Sequence, residues 1–122
     1  MAARRVAGRP GDEQTAGGVA VLSPSGVLDR EVLEQLEVEL GSRTTPVIVD
    51  LSDCTLGATD VLSELGVGRW RRASGDVCLV CRRLTGRRLL ARAGVRMVVF
   101  TSVGDAVQAW VLSAAGYGSG WA

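Results

Sequence analysis

The chain has no histidine and no lysine, and aromatic residues make up only 4% of its 122 positions. Without His, the commonest general base, the triad imidazole and the commonest metal ligand are lost together, which argues against an enzyme. The scarcity of aromatics leaves the basic residues without the interleaved rings of a nucleic-acid groove. Cysteine occurs three times, at 54, 78 and 81. That is too few and too uneven for a disulfide framework and points to a reducing, cytoplasmic setting. No apolar run approaches the roughly 20 residues that span a bilayer, so no membrane insertion is expected. The Arg residues near the N-terminus are not followed by an apolar run of signal-peptide length. A phosphate loop is missing too: "GVGRW" at 66–70 lacks the Lys and the Ser or Thr that such a loop needs.

What remains is 47% apolar, enough for one modest core, and one globular domain is expected. All 14 basic residues are Arg, a pattern that genomic base composition explains more readily than a need for planar bidentate contacts. The net charge of +1 hides a division: residues 1–65 sum to −6 and residues 66–122 to +7. The molecule is expected to have an acidic and a basic side.

Residues 1–17 show no period and read as a flexible leader, with a short edge strand near Arg4–Gly8. The domain is expected over 18–114, and 115–122 as a flexible, frayed tail. "VAVLSPSGVLD" is a strand signal interrupted at Pro24, which cannot donate to a ladder. Asp29 stands at a helix N-cap, Val32, Leu33, Leu36 and Leu40 follow at helical spacing, and Gly41 supplies the stop. "PVIVDLSDC" (46–54) and "DVCLVC" (76–81) read as strands buried on both faces. A helix is predicted from Thr59 with Leu62 and Leu65 inward, another over 85–93, and a strand over 96–102. The last helix is capped by Ser102 and presents Val103, Ala106, Val107, Trp110, Val111 and Ala114 inward. Strands alternate with helices from residue 19 onward, the pattern of an α/β fold: a central mixed sheet with about four packed helices.

Cys78 and Cys81 form a C-x-x-C pair, but within a strand residues three apart face opposite sides, so they read as core thiols. No metal site, cofactor or catalytic group is expected. The Arg at 82, 83, 87, 88, 92 and 96 read chiefly as a solvated face, with nucleotide or nucleic-acid binding as the sharper alternative. The turn after "VIVDLS" remains. It lies where a strand's carboxyl end meets a helix N-terminus, the end at which α/β sheets meet ligands and partners. It contains Ala58, Thr59, Asp60 and Val61, and Thr59 and Asp60 also suit a helix start, each worth up to about 1 kcal/mol.

The succession "GVLD", amphipathic helix, "VIVDLSDCTLGATDVLSEL", "GDVCLVC", "RRLLARAGV" and "VFTSVGDAVQAW" resembles the STAS domain of bacterial anti-sigma factor antagonists over residues 18–112. In that family DLS leads to an Asp-Ser-Ser/Thr-Gly turn and a Leu-x-x-Leu helix. An anti-sigma factor with serine kinase activity phosphorylates the second hydroxyl residue of the turn and is thereby released. Asp50, Leu51, Ser52, Leu62 and Leu65 match this pattern. The turn departs from it: Ala58 replaces the Asp, Thr59 the first Ser, Asp60 the phosphorylated Ser and Val61 the Gly.

The resemblance therefore implies a non-catalytic, protein-binding regulator, with an anti-sigma factor as the expected partner. Switching by Ser phosphorylation is not expected, because Asp60 occupies the acceptor position. Thr59 is the one hydroxyl left there for modification. The expected recognition surface comprises Ala58, Thr59, Asp60, Val61 and Ser63 with the turn from Ser25 to Asp29. Two alternatives stand beside this reading: a STAS scaffold subunit of a multiprotein sensor complex or a transporter, and a nucleotide- or nucleic-acid-binding module using the Arg-rich half.

Overall fold

A computed structural model describes residues 13–16, 18–42, 45–57, 62–63, 77–95 and 97–114, together with Gly116 and Trp121. A five-stranded sheet runs in the order β1 (Glu13–Ala16), β2 (Val19–Leu22), β4 (Val47–Asp50), β6 (Val77–Val80), β7 (Val99–Phe100). β1 is antiparallel to β2, and every other pairing in this sheet is parallel. A second, two-residue ladder joins β3 (Gly26–Val27) to β5 (Cys54–Thr55). The helices with defined bounds are α1 (Arg30–Gly41), α2 (Leu84–Arg92) and α3 (Val103–Ala114).

β2, β4 and β6 are the centre of the sheet, and their near-continuous apolar runs are explained by burial on both faces. Ala20, Leu22, Val47, Val49, Val77 and Leu79 share one core with Val32, Leu33, Leu36 and Leu40 of α1 and Leu90 of α2. Val19, Val21, Ile48, Cys78 and Val80 form the other core with Ala106 of α3. The parallel strands advance in one direction across the sheet, so right-handed crossovers put α1 and α2 on the same face. The chain then passes to the other face with α3. The sheet thus lies between two helical layers, as the α/β pattern required.

Several expectations about local structure hold closely. Asp29 caps α1, its Oδ1 accepting the Val32 N–H at 3.0 Å. Ser102 Oγ accepts the Asp105 N–H at 3.1 Å, the bond expected of the α3 cap. Cys78 and Cys81 belong to opposite cores, as strand alternation demands. The predicted helix from Thr59 is represented among the described residues by Leu62 and Ser63, both helical, so three helices with full bounds stand where about four were expected.

Other expectations need correction. The leader does not extend through residue 17: Glu13–Ala16 is an edge strand, paired with β2 from Glu13↔Leu22 to Ala16↔Val19. That register leaves two residues, Gly17 and Gly18, between the strands, and Gly18 has φ +82°, the left-handed geometry that tight hairpins demand. The edge strand expected near Arg4–Gly8 lies outside the described residues. The tail is not wholly frayed either, because Trp121 is buried and its Nε1–H donates to the Ala106 carbonyl at 3.0 Å. The indole packs into the core on the α3 face of the sheet, 4.7 Å from the Trp110 ring. Val111 was expected inward but is 47% exposed, since the inward stripe of α3 is narrower than the sequence pattern suggested. The last strand shrinks to Val99–Phe100. The strand expected over 46–54 breaks at Leu51–Asp53, for a reason that belongs to the site.

Candidate partner-binding site

The break is made by side chains of the DLS sequence itself. Asp50 Oδ1 accepts the Ser52 N–H at 3.0 Å, a local bond that turns the backbone out of the ladder. Ser52, nearly buried, accepts the Arg82 N–H on its Oγ at 3.2 Å. The Leu51 N–H donates to the Val80 carbonyl at 2.8 Å, so the ends of the two central strands are tied by backbone and hydroxyl together. Asp50 and Ser52 thus shape the turn from within.

After the turn, β5 runs beside β3 with Gly26 opposite Cys54 and Val27 opposite Thr55. The Gly26 N–H donates to the Asp53 carbonyl at 3.3 Å and the Leu28 N–H to the Thr55 carbonyl at 3.0 Å. Gly26 has φ +86°, which a side chain would strain. Cys54 donates its thiol to the Pro24 carbonyl at 3.3 Å. Burial, and next the nearby Asp53 and Asp50 carboxylates, push that thiol up to about 12, so it stays protonated and acts as a core contact. Burial also raises Cys78. All three cysteines are free and buried.

This small ladder brings the 25–29 and 53–57 segments side by side. Of the residues expected in the recognition surface, Ser25 is exposed at its edge, and Asp29 is exposed but occupied by the α1 cap. Ser63 is exposed and already engaged in an interaction, while Leu62 before it is 1% exposed and anchors that helix in the core. Ala58, Thr59, Asp60 and Val61 lie outside the described residues, between Gly57 and this anchor. Val27, inside the expected 25–29 turn, is 60% exposed, and beside it the geometry adds one exposed group that the sequence reading missed, Thr55. The exposure of Val27 follows from "SGVLD", where Leu28 is buried and its neighbour must face the other way. Ser25, Val27, Asp53 and Thr55 offer hydroxyls, an apolar side chain and a carboxylate to a contacting surface.

The Arg-rich segment divides into different roles. Arg87 Nη1 donates to the carbonyls of Cys81 and Arg82 at 3.1 and 3.0 Å and holds the end of β6. Arg82, Arg83, Arg88 and Arg92 are exposed, and Arg69, Arg71, Arg72 and Arg96 lie outside the described residues. Among the described residues, no three His, Cys, Asp or Glu side chains converge as a metal site, and no helix is long and apolar enough to cross a membrane.

No family model and no curated protein matches the chain. Among solved structures, an anti-sigma factor antagonist from Mycobacterium paratuberculosis matches with a TM-score of 0.65 at 23% identity, over 80% of this chain and 89% of that one. The chain has the fold of that antagonist. The likeness agrees with the STAS-like architecture that the order of elements implied. At this identity it speaks for the arrangement of strands and helices and leaves the chemistry of the turn to this chain's own residues.

Proposed function

We propose that this chain is a non-catalytic regulator of the anti-sigma factor antagonist kind, which acts by binding a protein partner through the β3–β5 ladder and the turn that follows it. The observation that carries the reading is the shared fold, over 80% of this chain and 89% of the antagonist's. The exposed group of Ser25, Val27 and Thr55 at the carboxyl end of the parallel sheet supports the location.

The partner contact is not switched by serine phosphorylation. Asp60 stands at the acceptor position of the family pattern, and a carboxylate has no hydroxyl to receive a phosphoryl group. It supplies one negative charge permanently, against the roughly −1.5 to −2 of a phosphoserine. The partner expected on this reading is an anti-sigma factor, and the chain binds it in one fixed state. Affinity capture from the native cell, followed by mass spectrometry, tests the reading: an anti-sigma factor among the captured proteins supports it, and transporter components or nucleic acid would replace it. With that partner in hand, Asp60→Ser is expected to change its affinity by about fivefold or more, the scale of one charge-assisted hydrogen bond. An unchanged affinity would reduce Asp60 to a helix-start residue. Efficient phosphorylation of wild-type Thr59 would show a switch displaced by one position.

A further inference from the structure

α1 and α2 have outward faces that mirror each other. On α1 the exposed stripe reads Glu31, Glu34, Val38, with Val38 72% exposed. On α2 it reads Leu84, Arg88, Arg92, with Leu84 51% exposed. At 1.5 Å per residue the first stripe spans about 10 Å and the second about 12 Å. Laid antiparallel, the two stripes put the apolar residues against each other at one end and two acid–base pairs beyond them.

The last turn of α1 has no basic residue and the first turn of α2 no acidic one, so neither helix dipole is opposed at those ends by a charge of its own helix. α1 contains four Glu and one Arg. α2 contains three Arg and no acid, and its N-cap makes no side-chain bond. From residue 77 through 104 the sequence contains six Arg and not one carboxylate. Antiparallel apposition sets the negative end of one helix beside the positive end of the other. The two helices lie on the same face of the sheet and run the same way, since each returns the chain between parallel strands. Within one molecule they cannot meet antiparallel; between two molecules they can.

We propose that the chain associates head to tail with a second copy of itself, α1 of one packing antiparallel on α2 of the next, with Val38 against Leu84, Glu34 against Arg88 and Glu31 against Arg92. The contact is heterologous: it leaves α2 of the first copy and α1 of the second unsatisfied, so association does not stop by symmetry at two. It is weak and sensitive to salt, because its charges are exposed.

Sedimentation velocity on the full chain tests this. At low salt the weight-average mass should rise with concentration past two copies, and high salt should weaken the association by about tenfold. The double reversals Glu31→Arg with Glu34→Arg, and Arg88→Glu with Arg92→Glu, should each stay monomeric while keeping the wild-type circular dichroism and melting temperature. An equimolar mixture of the two should associate again, because each reversed face meets its complement. A wild type that stays monomeric at low salt, a mass that levels off at two, reversed variants that associate as the wild type does, or a mixture that stays monomeric would each overturn the proposal.

Discussion

Gly86 lies in the first turn of α2, where helix propensity and packing make opposite demands. In an unconstrained helix Gly→Ala stabilises by about 1 kcal/mol. Here a Cβ on Gly86 would lie 2.5 Å from Cys81 Sγ and 3.4 Å from Leu56 Cδ1. The first distance is about 1 Å inside ordinary contact, and Cys81 is buried in the core with few directions in which to retreat. Overpacking of this kind costs about 1–3 kcal/mol, so Gly86→Ala should destabilise by about 0–2 kcal/mol after the propensity gain. Cys81→Ala should cost about 1 kcal/mol through the space it leaves. In the double variant the new methyl occupies that space and the propensity gain is released, so its stability should equal or exceed that of the wild type. The coupling is then about 1–3 kcal/mol and favourable, to be read from urea midpoints at unchanged m. Single effects that simply add, or a Gly86→Ala chain more stable than the wild type, would refute the close approach. The contact matters for the site because it fixes the start of α2, just after Arg82, whose N–H holds Ser52.

Trp121→Ala should destabilise by about 2–4 kcal/mol, the cost of a large core truncation reduced by the entropy regained by the chain before it. A loss below about 0.5 kcal/mol in urea unfolding would mean that the indole is not part of the core. Alkaline pH should destabilise the fold. The folded chain holds the Cys54 proton up to about 12, against an ordinary 9.0, while the unfolded chain loses it earlier. Stability from this group is therefore full below about pH 9 and falls as pH rises toward 12. With no Lys and a single Tyr, few other side chains titrate in this window, and urea midpoints that rise with pH there would refute the reasoning.

The parts of the fold legible in the sequence are those whose pattern is repeated along an element. β2, β4 and β6 were readable because burial on both faces forces unbroken apolar runs, and α1 because Val32, Leu33, Leu36 and Leu40 share one stripe. Asp29 was readable because capping is a local affair. β1 was not, since its sequence EQTA at the sheet edge has no apolar alternation; its one signal was the Gly-Gly pair that follows. Trp121 was not, because its place depends on contacts with Ala106 and Trp110, distant in sequence, that no local pattern records. The break after Asp50 was obscured by Leu51 and Cys54, which stay apolar and buried whether the chain runs straight or turns.

The candidate site combines these two kinds of legibility. Its frame rests on main-chain groups and on the DLS side chains: the Gly26 and Leu28 N–H groups on the carbonyls of Asp53 and Thr55, the Ser52 N–H on Asp50 and the Arg82 N–H on Ser52. None of these bonds uses the side chain of Ser25, Val27 or Thr55. Frame and surface are therefore separable in energy. A change at Ser52 or Asp50 leaves a half-buried backbone donor without its acceptor, whereas a change at Val27 or Thr55 alters only the exposed side of the ladder and leaves its bonds intact. Such a division lets one scaffold keep its turn while the chemistry of its contact drifts.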